Sequence, residues 1–442
     1  TCSCVFDRSA SLMRFSKRWQ EGGVNAAYTP TSPGYFRSFE MGDLNTEARK
    51  ELQPLIGGDE PGFALSADFY SSRSIFEADL SEIFFCSWIY AAHVSQLADS
   101  GSYLLLEIGA ESIILVRDSD DAIRAFANVC RHRGSRICTE TSGKVRAFVC
   151  PYHAWTYELD GRLRSRRSMA PGFDQSGYGL KRLSVSVFHG LVFVNLDPDA
   201  PDFSNEVSEV NSGLDIYGLE NTRVACQETY TVDANWKLAI ENFMECYHCA
   251  PAHAEYSRVH ALKSPKDNEA LRPKMLEEAK RLGYSTGSVD NSMPRGKQDV
   301  GYFYARNALY PPCVTGSENG EPVAPLLGGI KEYGGGVADI QLGPASYGIL
   351  YPDHAVLYRF LPRDIQKTDM DIVWLVREDA APGRDYDQDQ LTWLWRVTTE
   401  ADKRIILNNQ KGVNSRFYEP GPLSEMETFT AAFIEWYLER IS

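Results

Sequence analysis

The sequence predicts an α+β fold in which a compact all-β unit is followed by a domain that combines a sheet with helices. Between residues 102 and 199, short apolar segments such as LSVSVFHGLVFVNL alternate with turns that contain glycine and aspartate, as is typical of a small β domain. After residue 200, strand-like and helical patterns are mixed, and two helices near 388–411 and 424–440 close the chain. The change in pattern at residue 200 separates the two fold types.

We expect three segments along the chain. Residues 1–84 are predicted to form an N-terminal arm and a helix that packs with the last segment, because clusters of proline, glycine and serine precede the helical spacing of SSRSIFEADLSEIFF. Residues 85–200 form the β domain, and residues 201–442 form the second domain. Within that domain, the glycine and charge clusters of residues 262–340 predict long loops that cover a pocket.

Composition and charge limit the classes of function. The chain has 442 residues, of which 24% are charged, and a net charge of −15. It is therefore long enough for two globular domains, and its acidic surface repels nucleic acids and anionic membranes. No apolar run reaches the roughly 20 residues that span a bilayer, and the ten cysteines do not form the dense framework of a small secreted domain. We expect a cytoplasmic protein whose partners are neither nucleic acid nor membrane.

Two pairs of cysteine and histidine lie in the predicted β domain. In CRHRGSRICTETSGKVRAFVCPYHAW, Cys130 is followed by His132, and Cys150 is followed by His153. Each loop supplies one thiolate and one imidazole, whereas a zinc finger usually groups its two cysteines and its two histidines. This layout favours a [2Fe-2S] cluster of the Rieske type, with two thiolates on one iron and two imidazoles on the other. A structural zinc ion or buried residues without metal are the alternatives, and Cys138 is expected to be a buried thiol.

A second group of ligand-type residues lies in the segment ECYHCAPAH. A helix is predicted over residues 235–249 and is expected to stop at Pro251. Glu245 and His248 would then share one face of this helix, and His253 follows the turn. Two imidazoles and one carboxylate form the facial triad of non-heme Fe(II) oxygenases, which leaves positions open for O2 and substrate. The sequence therefore has to supply a distant acid.

Asp402 is the candidate for that acid. In LTWLWRVTTEADKRIILNNQ, one helical face contains Leu391, Trp395, Thr398, Asp402, Ile405 and Asn409. An acid on an inward face is costly unless it is paired or bound to a cation. An ordinary salt bridge is the alternative interpretation. Cys246 and Cys249 are expected to be structural thiols rather than ligands.

These motifs resemble those of the catalytic (alpha) subunits of Rieske non-heme iron oxygenases, from about residue 64 to the C-terminus. CRHRG and CPYHAW match the cluster signature of that family, and NWKLAIENFMECYHCAPAH matches its iron-helix signature. EADKRIILNNQKGVNS resembles the stretch that bears the third iron ligand. The resemblance implies a catalytic domain of the helix-grip type, with an antiparallel sheet and helices. It also implies that a mononuclear Fe(II) is held by His248, His253 and Asp402.

The resemblance also implies partners. Subunits of this family form trimers in which the cluster of one subunit lies close to the iron of its neighbour, and an acidic residue bridges the two ligand histidines. Here that residue is Glu245, between His153 of one chain and His248 of the next. A separate reductase passes electrons from NAD(P)H to the cluster, and O2 and a small molecule are the substrates. The basic run RLRSRR is a candidate docking surface, although such runs are most often solvated.

Details of the second motif indicate a substrate class. Many ring-hydroxylating members have aspartate at the position of Glu245, and this glutamate, with ECYHC and VCRHRGSRIC, is more similar to the branch that acts on quaternary amines such as glycine betaine, choline, carnitine and proline betaine. We therefore expect hydroxylation of an N-methyl group with release of formaldehyde. Hydroxylation of an aromatic ring is the nearer alternative, and a non-enzymatic electron carrier or a zinc-structural protein is the more distant one.

Overall fold

Antiparallel sheets form the framework of the protein. The computed structural model describes residues 46–58, 60–262, 264–287 and 300–442. In these residues the strands form sheets of seven, six and three strands. Most of the predicted N-terminal arm lies outside the described residues. Within the described ranges, no helix combines the length and the apolar character that crossing a membrane requires.

Strands dominate residues 89–195, and the longest helices lie in the second half of the chain. The described helices are α1 (Thr46–Ile56), α2 (Asp68–Ser71), α3 (Arg73–Asp79), α4 (Phe203–Glu206), α5 (Ser208–Leu214), α6 (Trp236–Phe243), α7 (Cys249–Ala252), α8 (Ala254–Val259), α9 (Pro265–Leu282), α10 (Gln388–Val413) and α11 (Thr428–Ile441). The described strands are β1 (Ile89–His93), β2 (Ser102–Ile108), β3 (Glu111–Arg117), β4 (Ile123–Ala127), β5 (Ser142–Lys144), β6 (Phe148–Val149), β7 (Thr156–Tyr157), β8 (Leu163–Ser165), β9 (Arg182–Phe188), β10 (Leu191–Asn195), β11 (Thr222–Val232), β12 (Tyr302–Asn307), β13 (Val337–Leu342), β14 (Ser346–Leu350), β15 (Ala355–Asp364) and β16 (Lys367–Arg377).

The seven-stranded sheet has the strand order β1-β10-β9-β4-β3-β2-β5. The short strands β6, β7 and β8 form the separate three-stranded sheet. Side chains from both sheets share one core, which includes Ile114, Phe126, Phe148 and Tyr157. This core supports the two loops that follow β4 and β6.

The six-stranded sheet carries different side chains on its two faces. Its order is β11-β16-β15-β14-β13-β12, and side chains alternate between the faces along each strand. One face, with Ile349 and Tyr358, belongs to a core shared with α6, α10 and α11. The other face, with Ala338 and Leu357, shares a core with α5, β1 and β10. The α+β class predicted from the sequence is confirmed.

Residues 262–340 contain more regular structure than the predicted long loops. The 18-residue helix α9 and the strands β12 and β13 occupy much of this range. Few residues of α9 are buried, among them Asn268 and Met275, so the sequence shows no continuous apolar stripe there. Its boundaries are nevertheless marked, because Pro265 begins the helix and Gly283 follows its end.

The prediction of one helix over residues 235–249 is wrong. α6 ends at Phe243, and α7 begins only at Cys249. Pro251 therefore does not end a long helix. It lies within α7, in the first turn, where proline is tolerated because the missing N–H has no helical partner.

The Glu245 carboxylate explains the break between α6 and α7. Its Oε2 atom accepts hydrogen bonds from the backbone N–H groups of Tyr247 and His248, the latter at 3.2 Å. Such local bonds from side chain to backbone compete with helical hydrogen bonds. Glu245 and His248 therefore lie in a turn rather than on one helical face.

A buried ion pair joins α3 to the second half of the chain. Lys237 of α6 donates a hydrogen bond to the carboxylate of Asp79, and both side chains are fully buried. Trp236 Nε1 and the Tyr437 hydroxyl donate to the same carboxylate, at 2.8 Å and 2.7 Å. Burial raises the pKa of Asp79 and lowers that of Lys237, while the attraction between the two groups opposes both shifts. Loss of one partner leaves an unpaired charge in the interior.

We expect Lys237→Met to lower the free energy of unfolding by about 3 to 5 kcal/mol, because it leaves Asp79 buried without a cation. Urea denaturation followed by tryptophan fluorescence measures this change. Lys144→Met is the matched control, since it breaks the exposed ion pair between Lys144 and Asp99 and should leave the free energy of unfolding close to the wild-type value. Equal losses in the two variants would contradict a special role for the buried pair.

Candidate metal centres

Three of the predicted ligand residues meet beside the six-stranded sheet. His248 immediately precedes α7, His253 lies between α7 and α8, and Asp402 lies near the middle of α10. One ligand atom from each residue lies within 4.8 Å of the other two. In the described part of the chain, no other set of three cysteine, histidine or acidic residues converges in this way. The fold therefore brings together residues that are far apart in sequence.

The Asp402 carboxylate lies between the two imidazoles. Its Oδ1 atom is 2.8 Å from Nε2 of His253 and 3.3 Å from Nε2 of His248. Burial alone would raise the pKa of Asp402, but the hydrogen bonds to the two histidines hold it below its usual value. The carboxylate is therefore ionised and can bind a cation.

Two carboxylates stabilise positive charge at His248. Its Nδ1 atom is 2.5 Å from Oε1 of Glu245, and its Nε2 atom faces Asp402. Burial lowers the pKa of this imidazole, but the bonds to Asp402 and Glu245 outweigh burial and raise the pKa to about 9. When Nδ1–H is donated to Glu245, Nε2 is left free for a metal, which is the usual arrangement of a metal-bound histidine. With His253, these groups fit a facial site for Fe(II) made of two histidines and one carboxylate.

Two features beside this site are not predicted from the sequence. Nδ2 of Asn242 lies 3.4 Å from Nε2 of His248, so an amide stands next to the metal-facing nitrogen. Cys246 and Cys249, predicted as structural thiols, form a disulfide across the turn that contains His248. Their C-x-x-C spacing is the signal that indicates such a bond. Neither sulfur belongs to the ligand set, and the disulfide closes the turn around His248.

The second predicted centre lies in the loops after β4 and β6. Cys130 and Cys150 are buried in the core of the β domain, whereas His132 and His153 are partly exposed. The Nδ1 atoms of the two histidines are 3.0 Å apart, and the Cys130 sulfur is 3.2 Å from the Tyr157 hydroxyl oxygen. The two sulfur atoms therefore lie on the inner side of the loops, and the two imidazoles lie on the outer side.

The spacing of these four groups distinguishes one metal ion from two. A tetrahedral zinc site holds its ligand atoms within about 4 Å of one another. Among the described residues, the group whose ligand atoms converge on one ion position is His248, His253 and Asp402, and these four residues do not form such a group. Paired thiols and paired imidazoles instead fit a [2Fe-2S] cluster, in which each pair binds one iron. Cys138 is buried, as predicted, and burial raises the pKa of its thiol to about 11.

The basic run RLRSRR is partly neutralised by its own neighbours. Arg162 pairs with Asp160 at 2.6 Å, and Arg164 lies 3.6 Å from Glu158. Arg166 lies over the ring of Phe173, 5.5 Å from its centroid. These local contacts favour the interpretation of the run as a solvated surface.

A cavity of about 820 Å³ opens at the three-residue site. Its aromatic lining consists of Phe243, Tyr256, Phe303, Tyr347, Tyr358, Trp395 and Phe429. The ring centroid of Phe243 lies 4.9 Å from those of Tyr347 and Tyr358, and Tyr358 lies 5.6 Å from Trp395. These rings therefore form one continuous aromatic wall. The cavity has the size of a small-molecule site, and no sequence pattern distinguishes its aromatic residues from those of the core.

Comparison with known proteins identifies both domains. The family described as "Ring hydroxylating alpha subunit (catalytic domain)" matches residues 219–442, and the "Rieske [2Fe-2S] domain" matches residues 87–187. The glycine betaine monooxygenase oxygenase subunit of Pseudomonas aeruginosa (strain UCBPP-PA14) is 33% identical over 421 residues, which cover 91% of this chain and 95% of that protein. The protein of the same name from Chromohalobacter salexigens is 35% identical over 403 residues, or 90% of each chain.

A solved structure shares the fold along most of the chain. The crystal structure of the quaternary ammonium Rieske monooxygenase CntA in complex with substrate L-carnitine superposes with a TM-score of 0.66. The match covers 88% of this chain and 98% of CntA at 22% sequence identity. The chain therefore belongs to the Rieske non-heme iron oxygenases, in which an oxygenase (alpha) subunit combines a [2Fe-2S] domain with a catalytic domain for mononuclear iron.

Proposed function

We propose that this oxygenase subunit hydroxylates an N-methyl group of a quaternary ammonium compound such as glycine betaine. The mononuclear iron is held by His248, His253 and Asp402. The cluster is held by Cys130, His132, Cys150 and His153. Glu245 connects the two centres. The similarity to two glycine betaine monooxygenase oxygenase subunits along about nine tenths of the chain supports this substrate class.

The aromatic wall beside the iron site carries this proposal. A quaternary ammonium group has no N–H to donate, so proteins recognise it by its attraction to the faces of aromatic rings. Trp395 lies two turns before Asp402 on α10, and its ring centroid is 5.7 Å from that of Tyr256 and 5.6 Å from that of Tyr358. An ammonium group against these rings has its methyl groups close to the iron ligands.

The side chains of this site position the reactants. Glu245 accepts the Nδ1–H of His248 and keeps the Nε2 atom of this imidazole turned toward the metal position. The carboxylate of Asp402 lies on the Nε2 side of the same imidazole. The aromatic wall excludes water and directs one methyl group to the site. When bound, the iron and the cluster supply the activation of O2 and the transfer of electrons.

The overall reaction balances with two electrons and two protons. One oxygen atom of O2 enters the N-methyl C–H bond, and the other leaves as water. The product carries an N-hydroxymethyl group, which splits into formaldehyde, a proton and the demethylated amine. A reductase that uses NAD(P)H supplies the electrons. The oxygenase subunits act together as a homotrimer.

The exposed surfaces at the two centres support such a trimer. Val149 and Tyr152, beside the cluster loop, are 53% and 55% exposed, and Tyr247, beside Glu245, is 56% exposed. Exposed apolar side chains at both centres fit a contact between the cluster loop of one subunit and the Glu245 turn of the next. In such a contact, Glu245 would connect His153, a ligand of the cluster of one subunit, to His248, an iron ligand of its neighbour, and the two groups would supply the electron transfer. A cytoplasmic location and domain boundaries at residues 84 and 200 stay predictions.

Release of formaldehyde tests the reaction. With NADH, a surrogate reductase and the iron-loaded protein, we expect equimolar formaldehyde and O2 uptake for one member of a panel of glycine betaine, choline, carnitine and proline betaine. Oxygen uptake without formaldehyde, accompanied by a hydroxylated aromatic acid, would indicate ring hydroxylation instead. Omission of the reductase is the control, because both signals then disappear.

We expect Asp402→Ala to lower the iron content by about one third while the visible absorption of the cluster is unchanged, because the variant removes only a ligand of the mononuclear site. Iron analysis and absorption spectroscopy measure the two centres separately. Glu400→Gln is the matched control, since Glu400 is exposed on the same helix, and it should retain all iron. Full iron retention in Asp402→Ala would contradict the assignment.

Glu245→Gln should lower turnover by about 10- to 100-fold with both metal centres loaded. An amide has only one acceptor oxygen, so it cannot accept both the Nδ1–H of His248 and the two backbone N–H groups, and the negative charge is lost. Steady-state kinetics and metal analysis measure these effects, and Glu255→Gln on α8 is the control.

Mixed trimers test the transfer between subunits. Trimers formed from Glu245→Gln and His132→Ala chains should recover part of the activity, because an intact cluster can then face an intact Glu245 of the neighbouring chain. If mixing restores no activity, electron transfer between subunits is not the route.

A further inference from the structure

The cavity contains a carboxylate that the iron site does not use. Asp339 lies in the middle of β13, and its side chain lines the cavity. Its direct partners on the two adjacent strands are Ala305 and Ile349. Both neighbours are nonpolar, so Asp339 is an acidic residue between two apolar residues of the sheet.

Two asparagines hold this carboxylate in place. Asn307 Nδ2 donates to Oδ2 of Asp339, and the Asn307 Oδ1 accepts a hydrogen bond from Asn268 Nδ2 at 3.4 Å. Asn268 is itself fixed, because its Oδ1 accepts the backbone N–H of Ala308 at 3.2 Å. Among the described residues, no side chain or backbone group donates to Oδ1 of Asp339, so this oxygen is available to a ligand.

No cationic side chain in the described ranges forms an ion pair with Asp339. Arg306 precedes Asn307 on β12, but it points to the opposite face of the sheet and donates to the hydroxyls of Tyr217 and Tyr304, at 2.9 Å and 2.8 Å. Burial raises the pKa of Asp339 to about 6, and Asn307 and Arg306 oppose this shift. The carboxylate is therefore mostly ionised at neutral pH, and the charge of Arg306 acts on it only from the opposite face of the sheet.

We propose that Asp339 is the counter-ion of the substrate's ammonium group and that it selects cationic substrates over neutral molecules of the same shape. This inference rests on the proposed function and adds a residue that determines specificity. The Asp339 carboxylate, the rings of the aromatic wall and the three proposed iron ligands all line the same cavity. Aromatic rings also accept a neutral tert-butyl group, whereas a carboxylate in a low-dielectric cavity distinguishes it from a trimethylammonium group.

Equilibrium binding to the purified oxidised protein tests this inference without turnover. The probes are choline and 3,3-dimethylbutan-1-ol, its neutral carbon analogue, and isothermal titration calorimetry measures both affinities. We expect Asp339→Asn to weaken choline binding by about 10- to 100-fold and to change the affinity for the neutral alcohol by less than about twofold. Asp339→Glu, which keeps the charge, should retain most of the preference for choline.

Asp369→Asn is the matched control, because Asp369 lies on β16 of the same sheet, is also partly buried and does not line the cavity. It should leave both affinities unchanged, which excludes an effect of net charge alone. The inference is wrong if Asp339→Asn still prefers choline. It is also wrong if the variant loses affinity for both probes equally and has a lower melting temperature. In either case, formaldehyde release by the wild type would still support the proposed function. If the wild type neither prefers choline nor releases formaldehyde from any amine, both proposals are wrong.

Discussion

The contact between the Asp402 carboxylate and the two histidines is the constraint on which the catalytic domain depends. Asp402 and His253 are 149 residues apart in sequence, so this contact requires α10 to lie against the segment that joins α6 to α8. Leu391 and Trp395 fix the rotation of α10, because both are buried against the sheet and its helices. The aromatic rings that fill the rest of this interface are also the cavity wall, so the packing that brings the three candidate ligands together also shapes the cavity.

The metal motifs could be predicted because few other arrangements need cysteine and histidine at such spacings. Asp402 could be predicted from the apolar residues that share its helical face. Beyond Asp402 the heptad-like pattern fails: Ile406 and Gln410 are buried, whereas the predicted inward residue Asn409 is exposed and Ile405 is only partly buried. The reason is that a straight helix has 3.6 residues per turn, so a repeat of 3.5 drifts away from the buried side within a few turns.

Features that depend on contacts between distant segments could not be predicted. The turn at Glu245 replaces a helix because the carboxylate binds two backbone N–H groups, and helical periodicity contains no information about that competition. Asp339 resembles any polar residue of a strand until its cavity and its bond to Asn307 are known. Local patterns thus identify elements and ligand types, while the surroundings of a single charge are a property of the assembled fold.

The alternation of side chains along β13 has a consequence for how mutation can change the cavity. Asp339 and Gln341 line the cavity, while Ala338 and Leu342 belong to the core on the other face of the sheet. Neighbouring positions in the sequence therefore have different surroundings, one set at the cavity and the other in the core. A substitution at Asp339 or Gln341 changes the cavity lining without removing a side chain from the opposite core, whereas a substitution at Ile340 affects both.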